Sequence, residues 1–418
     1  MNKKKRKITV GIIIDTALKI PPNTGVTYRL YFLSRELAKL GINVKLFLCN
    51  RNIKNDKNIL ILSEKSNIEY HIIPEKIFYN DKLFKIINKN KPDILQFEDC
   101  ETLLRCKKIW DILDIPTCLE IHDVEATLKN YLGFSAKEIE LAKKATKRAC
   151  YLTDQIVCMT PLDFKELITN SPASKEKLAI IPNPIDTKFF PFYGPNLKNF
   201  NIVFVGNMFY WPNNNAAKVI IKKIYPKLKK CKKIKIYLIG MVPKNLEKIT
   251  KNKNIIFTKS VTNLNEYLKK ASIALCPLRE GSGMKVKILN YCSAGLPIIT
   301  TRIGASGYEK IKSLIVEDDI DKYADIITNL YSRKNLLFKI GKDNRKYVEN
   351  FDIKKLSIKT IKLYKKIIRN HKPHSILNNK SDINKKPLWL KEKRSNGIKN
   401  KNYYIIKNGK IVFKEKIA

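Results

Sequence analysis

The stretch Pro277-Leu-Arg-Glu-Gly-Ser-Gly-Met-Lys-Val-Lys-Ile-Leu-Asn290 follows a short apolar run, Ser272-Ile-Ala-Leu-Cys276, and opens a helical pattern. A buried strand, a glycine loop and a helix in that order form a natural anion cradle. Gly281 and Gly283 let the backbone approach a ligand closely. The first N–H groups of the helix have no partner inside it and point at whatever lies beyond the loop. Lys285 and Lys287 stand within reach of a diphosphate there. An ordinary strand-to-helix loop with solvated lysines has the same local composition, so the surroundings must decide between the two.

Working outward, the same rhythm recurs along most of the chain. In the first half, apolar runs at 8–14, 44–48, 93–97, 117–121 and 155–159 alternate with helical spacing at 27–40, 101–113 and 136–152. Strand, helix, strand in this order predicts crossover units and a parallel sheet, and continuous apolar strands agree with a sheet covered on both faces. The segment 186–201 is rich in Pro, Phe, Lys and Asn and lacks period, and the rhythm restarts after it. Strands are expected at 202–205, 235–239, 254–258, 273–276, 297–300 and 314–316. Helices are expected at 215–228, 244–250, 264–270, 286–292, 321–331 and 333–351.

The expected organisation is an N-terminal doubly wound domain over 1–186, a second over 187–352, a closing basic amphipathic helix over 353–370, and a basic, flexible tail over 371–418. Within that tail, Tyr403–Phe413 carries a hairpin signal with Asn408-Gly409 at its turn. Ligands of such folds bind beyond the carboxyl ends of the strands, which places the expected site in a cleft between two domains.

Composition narrows the function classes. With 418 residues and 44% hydrophobic content the chain has material for real cores, and the net charge is +44. Lysine is spread along the whole length, so part of this charge is compositional. The remainder favours anionic partners, including an acidic lipid surface where each nearby Lys or Arg contributes ~1 kcal/mol. The basic residues form no recognised nucleic-acid motif, so no specific nucleic acid is expected. The nine cysteines are scattered and contain no C-x-x-C pair, which predicts reduced, buried thiols, no metal site and a cytoplasmic location. The basic start runs into an apolar segment broken by Asp15, and no apolar run approaches the length of a membrane span.

After the loop and its helix come Ala294-Gly-Leu-Pro-Ile-Ile-Thr-Thr301 and Gly304-Ala-Ser-Gly307. Further pieces are Val205-Gly-Asn-Met-Phe-Tyr-Trp-Pro-Asn213, Ile180-Ile-Pro-Asn-Pro-Ile-Asp186 and Glu120-Ile-His-Asp123. In this order and on this α/β rhythm the sequence resembles the retaining glycosyltransferases of GT-B architecture, glycosyltransferase family four (glycosyl transferases group 1), over most of 8–368. That resemblance implies two Rossmann-like domains and transfer of a sugar from a nucleotide-sugar to an acceptor hydroxyl of a cell-envelope glycan or lipid-linked saccharide, with retention of configuration. It implies no cofactor beyond the donor substrate.

By the same resemblance Gly206 and Asn207 meet the donor diphosphate. Lys287 pairs with its phosphates, and Ser282, Gly283 and Met284 lie at the sugar and phosphate. Asn290 stands where the family has a ribose-binding glutamate, and Glu280 is a nearby substitute. His122, at the end of a strand, matches a histidine near the donor sugar, and Gly25 a glycine near the reacting centre; with Lys287 they make the expected catalytic set. Arg29 and Arg35 read as solvated helix charges or contacts to an acidic acceptor. Gln96, Glu98 and Asp99 read either as acceptor contacts or as loop caps, and Tyr210 and Trp211 chiefly as packing under their loop. Two other readings fit parts of the pattern: a sugar-nucleotide epimerase of the same fold, and a non-enzymatic nucleic-acid-binding protein suggested by the charge alone.

Overall fold

A computed structural model describes residues 6–16, 22, 24–50, 68–228, 234–373, 402–407 and 410–416. The chain divides into two compact units. One comprises Met1–Ala126, Ser135–Ile181 and Leu356–Ala418, the other Thr127–Phe134 and Pro182–Lys355.

The first unit is built on strands β1 (Thr9–Ile14), β2 (Asn43–Asn50), β3 (Ile68–Pro74), β4 (Ile94–Phe97), β5 (Thr117–Ile121), β6 (Gln155–Cys158) and β7 (Leu178–Ile180). They are mutually parallel in the order β3-β2-β1-β4-β5-β6-β7. Between them run helices α1 (Gly25–Lys39), α2 (Asp81–Asn90), α3 (Cys100–Arg105), α4 (Lys107–Leu113), α5 (Glu125–Tyr131), α6 (Ala136–Leu152) and α7 (Pro161–Asn170). The expected helix over 101–113 is two helices, because the chain breaks at Cys106 (φ −88°, ψ 5°). Ile68–Pro74, Leu178–Ile180, Asp81–Asn90 and Pro161–Asn170 form elements to which the sequence reading assigned nothing. Strand Ile68–Pro74 is buried along nearly its whole length.

The second unit repeats the plan. Strands β8 (Asn201–Val205), β9 (Lys235–Ile239), β10 (Ile255–Lys259), β11 (Ile273–Cys276), β12 (Ile298–Thr300) and β13 (Ile315–Val316) order as β10-β9-β8-β11-β12-β13, all parallel. Its helices are α8 (Trp211–Val219), α9 (Lys244–Glu247), α10 (Asn265–Leu268), α11 (Val286–Ala294), α12 (Tyr323–Ser332) and α13 (Lys334–Val348). Helix α8 starts four residues before the expected 215, because Pro212 suits a first helical turn and lacks the N–H that would be orphaned there. In both sheets the order reverses beside the first strand, between β1 and β4 and between β8 and β11. This is the switch point at which doubly wound sheets bind ligands.

Helix α14 (Ile353–Asn370) buries Leu356, Ser357, Thr360, Tyr364 and Ile367 at helical spacing, and from Leu356 onward it belongs to the first unit. The hairpin signal is met: β14 (Asn402–Lys407) and β15 (Lys410–Lys416) pair antiparallel, and β14 adds antiparallel to β3 with Ile405 opposite His71. The flexibility expected of the tail falls largely on 374–401, outside the described residues.

Two glycines set how closely the second unit packs. Gly295 ends α11 in the left-handed region (φ +75°), and a β-carbon on Gly341 of α13 would lie 2.1 Å from the Gly295 carbonyl oxygen. Gly341→Ala should therefore push α13 off α11. The expected cost is roughly 1–3 kcal/mol, as for other overpacked interiors, read as a lowered urea midpoint at unchanged m-value.

Candidate functional site

In the second unit, the carboxyl ends of β8 and β11 carry the residues singled out in the sequence. Gly206 closes β8 with its N–H donating to Ile239 O (2.9 Å). A side chain has no room at Gly206, where a β-carbon would lie 2.8 Å from the Asn213 amide, or at Gly240, where it would lie 2.1 Å from Gly206 O. The Asn207 side-chain oxygen accepts from Phe209 N–H (3.0 Å), so that part of the residue shapes the turn. The Asn213 amide then bridges the site: its Nδ2 donates to Asn207 O (3.0 Å) and its Oδ1 accepts from Lys287 Nζ (2.7 Å).

The 277–290 loop has the predicted form. Gly281 (φ +116°) and Gly283 (φ +67°) occupy backbone regions that favour glycine. Helix α11 begins after Lys285 with no side-chain cap, and the Ile288 N–H of its first turn donates to Lys285 O (3.0 Å). The loop is held from behind. Thr300 Oγ1 donates to Cys276 O (3.0 Å), Thr301 Oγ1 to Leu278 O, and Gly304 N–H to Thr301 Oγ1 (3.0 Å). Tyr291, buried in α11, accepts from Val205 N–H (2.7 Å) and ties the helix to the end of β8. The Ala294–Thr301 motif therefore acts on the loop's backbone.

The two lysines differ, contrary to their joint assignment to an anion. Lys285 Nζ folds back on the loop's own carbonyls, Ser282 O (2.5 Å) and Gly283 O (2.8 Å). Lys287 lies over the Phe204 ring (4.4 Å) with Asn213 Oδ1 as its acceptor. Desolvation, with the repulsion of Lys285, lowers its pKa to about 8 against the opposing influence of Cys276. An anion placed beside it would favour the charged form and raise that pKa again. Three acceptors around the loop are buried without a hydrogen-bond partner: Glu280 Oε2, Asn290 Oδ1 and Asn183 Oδ1. Asn183 packs on the loop through Met284, its amide Nδ2 donating to Met284 O (3.5 Å), and Glu280 is held by Asn215 Nδ2 (2.9 Å). Unsatisfied buried acceptors cost about 1–3 kcal/mol each, and a ligand bearing hydroxyl groups would satisfy them.

The sequence reading missed Asn183, Asn213 and Asn215 as site residues. The Asn213-Asn-Asn215 run in the first turn of a helix was the available signal. Tyr210 and Trp211 do not pack under their loop. Trp211 is 52% exposed, with Lys218 over its ring at 5.3 Å.

In the first unit, a polar cluster lies at the carboxyl ends of β4 and β5. Arg29, read as a solvated helix charge or a contact to an acidic acceptor, is instead buried in α1 and grips Glu120 on β5 through two bonds, Nε to Oε2 (2.7 Å) and Nη2 to Oε1 (2.9 Å). Both side chains are 1% exposed. Burial works against both charges. Their mutual attraction outweighs it, holding the guanidinium pKa up and the carboxyl pKa down. His122 Nε2 meets Glu98 Oε2 at 2.8 Å, Gln96 Nε2 donates to Glu98 Oε1 (2.7 Å), and the Tyr364 hydroxyl of α14 donates to Gln96 Oε1. Burial alone would lower the His122 pKa. The hydrogen bond to Glu98 and the charges of Glu98 and Glu120 outweigh both burial and Arg29, so the net shift is upward.

Glu98, Glu120 and His122 come within metal-ligating distance of one another. Arg29 already takes both Glu120 oxygens, and Glu98 serves Gln96 and His122, so the donor set is spent on protein partners. Asp99 caps α3 through Thr102 N–H (2.7 Å). Gly25 is the exposed first residue of α1, next to a Thr24–Thr27 capping box. Most of the loop before it, 17–21 and 23, lies outside the described residues. Arg35 donates to the Tyr31 hydroxyl (2.8 Å). The eight described cysteines are buried and form no disulfide among the described residues; Cys231 is outside them.

The Lys287 environment predicts opposite pH trends for binding and stability. Nucleoside diphosphate affinity should fall as pH rises through about 8. The folded state gives up this proton before the unfolded chain does, so the ligand-free protein gains stability from this group between about 8 and the ordinary 10.5. Lys287→Met should abolish the ligand-induced rise in Tm without lowering the Tm of the free protein. Calorimetric titration and thermal melts across pH check both.

The sequence matches the family model described as Glycosyltransferase Family 4 over residues 23–189 and the one described as Glycosyl transferases group 1 over 199–333. No curated protein in the comparison matches it. Among solved structures, sucrose-phosphate synthase from Thermosynechococcus elongatus aligns with a TM-score of 0.69 at 13% identity, over 87% of this chain and 100% of that one. Anabaena HepE in complex with UDP-glucose aligns with a TM-score of 0.67 at 12% identity, over 86% and 100%. WaaG, a glycosyltransferase involved in lipopolysaccharide biosynthesis, gives 0.60 at 13% identity, over 85% and 99%. These likenesses carry the GT-B fold, and the two family matches carry the enzyme class. The chain is a glycosyltransferase of GT-B type, with a glycosyltransferase family 4 domain followed by a group 1 glycosyltransferase domain.

Proposed function

We propose that the protein transfers a sugar from a nucleoside-diphosphate sugar, held by the second unit, to a hydroxyl of a cell-envelope glycan or lipid-linked saccharide, with retention of configuration. The observation that carries this reading is the loop 277–290. An uncapped helix start, the partly desolvated Lys287 and two unsatisfied buried acceptors, on Glu280 and Asn290, occur together in this stretch, and a third, Asn183 Oδ1, packs against it. Phosphate needs the first two features, and a ribose or hexose supplies hydroxyl donors for the third. HepE, which shares the fold, was solved with UDP-glucose.

In this reading the Gly206 backbone, the α11 N–H groups and Lys287 stabilise the charge that develops on the departing diphosphate. Asn290 and Glu280 accept hydrogen bonds from sugar hydroxyls. Asn290 does so without the charge assistance of the family's usual glutamate, which weakens ribose binding and loosens the choice of nucleotide. His122 contacts the donor sugar. No metal ion or cofactor is required by these roles, because the helix dipole and a lysine replace the divalent cation in neutralising phosphate.

A panel of nucleotide-sugars tests the reading. At least one should raise Tm and be slowly hydrolysed, or transferred when acceptor is added. If none shifts Tm and none is turned over, the reading fails. An enzyme that isomerised its nucleotide-sugar without acceptor would be an epimerase instead.

The acceptor part of the proposal has its own motive. Among the described residues no helix is long and apolar enough to cross a membrane. The outer face of α14 does present Lys362, Lys365, Lys366 and Arg369, all exposed, on a chain of net charge +44. Vesicles rich in phosphatidylglycerol should sediment the protein at low salt and release it at high salt, as screening of surface charge requires. Neutral phosphatidylcholine vesicles should not bind it. Equal binding to both would remove the membrane from the proposal.

A further inference from the structure

The hydrogen bonds around His122 have only one consistent direction. The Tyr364 hydroxyl donates to Gln96 Oε1, which leaves the Gln96 amide nitrogen facing Glu98 Oε1 at 2.7 Å. Glu98 then accepts there, and its other oxygen faces His122 Nε2 at 2.8 Å. A carboxylate offers only acceptors, so the imidazole donates to the second Glu98 oxygen as the Gln96 amide does to the first. Glu98 is almost wholly buried, and His122 alone in this set retains surface: its side chain is 9% exposed against 1% for Glu98.

We propose that Tyr364, Gln96 and Glu98 form a relay that locks His122 with Nε2–H on Glu98 and leaves Nδ1 as the ring nitrogen offered to substrate, making all three positioning residues for sugar transfer. This rests on the reading of His122 as a sugar contact. The relay explains why the chain returns to its first unit after the second is complete. Helix α14 brings Tyr364 to β4 and β5 from more than two hundred residues away, and without it the Gln96 amide has no reason to hold the orientation Glu98 needs.

The charged and titratable groups around the imidazole come from four elements: Glu98 after β4, Glu120 on β5, Arg29 on α1 and Tyr364 on α14. Arg29 is neutralised by Glu120, so Glu98 decides the balance in favour of the imidazolium. His122 is thereby kept as a double donor, able to give Nδ1–H to a sugar hydroxyl oxygen, and that capacity is lost as pH rises through its raised pKa. Because the folded value lies above the unfolded one, its contribution to stability is full below the unfolded pKa and fades over the same interval.

The test uses the full-length protein labelled at its histidines, of which the chain has four, with His122→Asn assigning the resonance. In the wild type the His122 carbon resonances should titrate above the ordinary value. Y364F should move the titration downward and lower kcat on the order of 10-fold, shifting its alkaline limb the same way and leaving the donor KM unchanged. E98Q should move it further and approach the 10²-fold loss that a misplaced group costs.

If the His122 titration stays put in both variants, the relay is overturned. If it moves in Y364F while kcat and its pH limb do not, the positioning role is overturned. Should E98Q fail to fold, Y364F decides alone. The titration needs no turnover, so a wild type that shows the shifts but transfers no sugar refutes the functional reading and leaves the relay standing.

Discussion

The buried pair of Arg29 and Glu120 is the constraint around which the first unit is arranged. Removing two charges from water costs several kcal/mol per ion, and two parallel hydrogen bonds are the geometry that offsets it. The pair fixes α1 against β5 at the carboxyl end of the sheet. It also cancels the charge that would otherwise drive the proton off His122. Losing either partner would strand the other, at a cost of about 3–5 kcal/mol. A buried ion pair adds little net stability over a hydrophobic isostere, so its value here lies in position: it leaves one carboxylate, Glu98, free to act on the histidine.

The second unit solves a different problem with the same topology. Its strand ends come close together, and side chains are excluded from Gly206 by the Asn213 amide and from Gly240 by the Gly206 carbonyl. Polar side chains then hold the loop. Thr300 and Thr301 take the carbonyls of Cys276 and Leu278, and Tyr291 takes the amide of Val205. What remains unsatisfied is a set of buried oxygens, those of Asn183, Glu280 and Asn290, beside a lysine of depressed pKa whose acceptor is Asn213 Oδ1. Most buried polar groups of this unit's framework are satisfied, and three of the exceptions gather around this one loop.

The same contrast separates the two lysines, which look equivalent as Lys285-Val-Lys287. One stabilises the loop by donating to carbonyls two and three residues behind it. The other is carried around the first turn of α11 onto Phe204 and Asn213. A two-residue offset on a helix rotates a side chain by more than half a turn, so residue type alone could not assign their roles.

By itself the sequence determined the fold class, the restart of the α/β rhythm near residue 200, the glycine loop and its helix, and the hairpin of the tail. Each is a local property: apolar period, positive-φ glycines, or a two-residue turn signal. Element ends drifted where local chemistry competed, as at Cys106 and Pro212. Only tertiary structure decided that Arg29 is buried, that Lys285 is turned inward, that Asn213 bridges Asn207 to Lys287, and that Tyr364 stands over Gln96. Lys285 meets carbonyls only two and three residues behind it, but Arg29 and Glu120, Asn213 and Lys287, and Tyr364 and Gln96 are far apart in the chain, the last pair by 268 positions. The physical reason is common to them. Whether a polar group is solvated, paired or left waiting for a ligand is set by what the fold places opposite it, and the periodicity of a sequence carries no record of that partner.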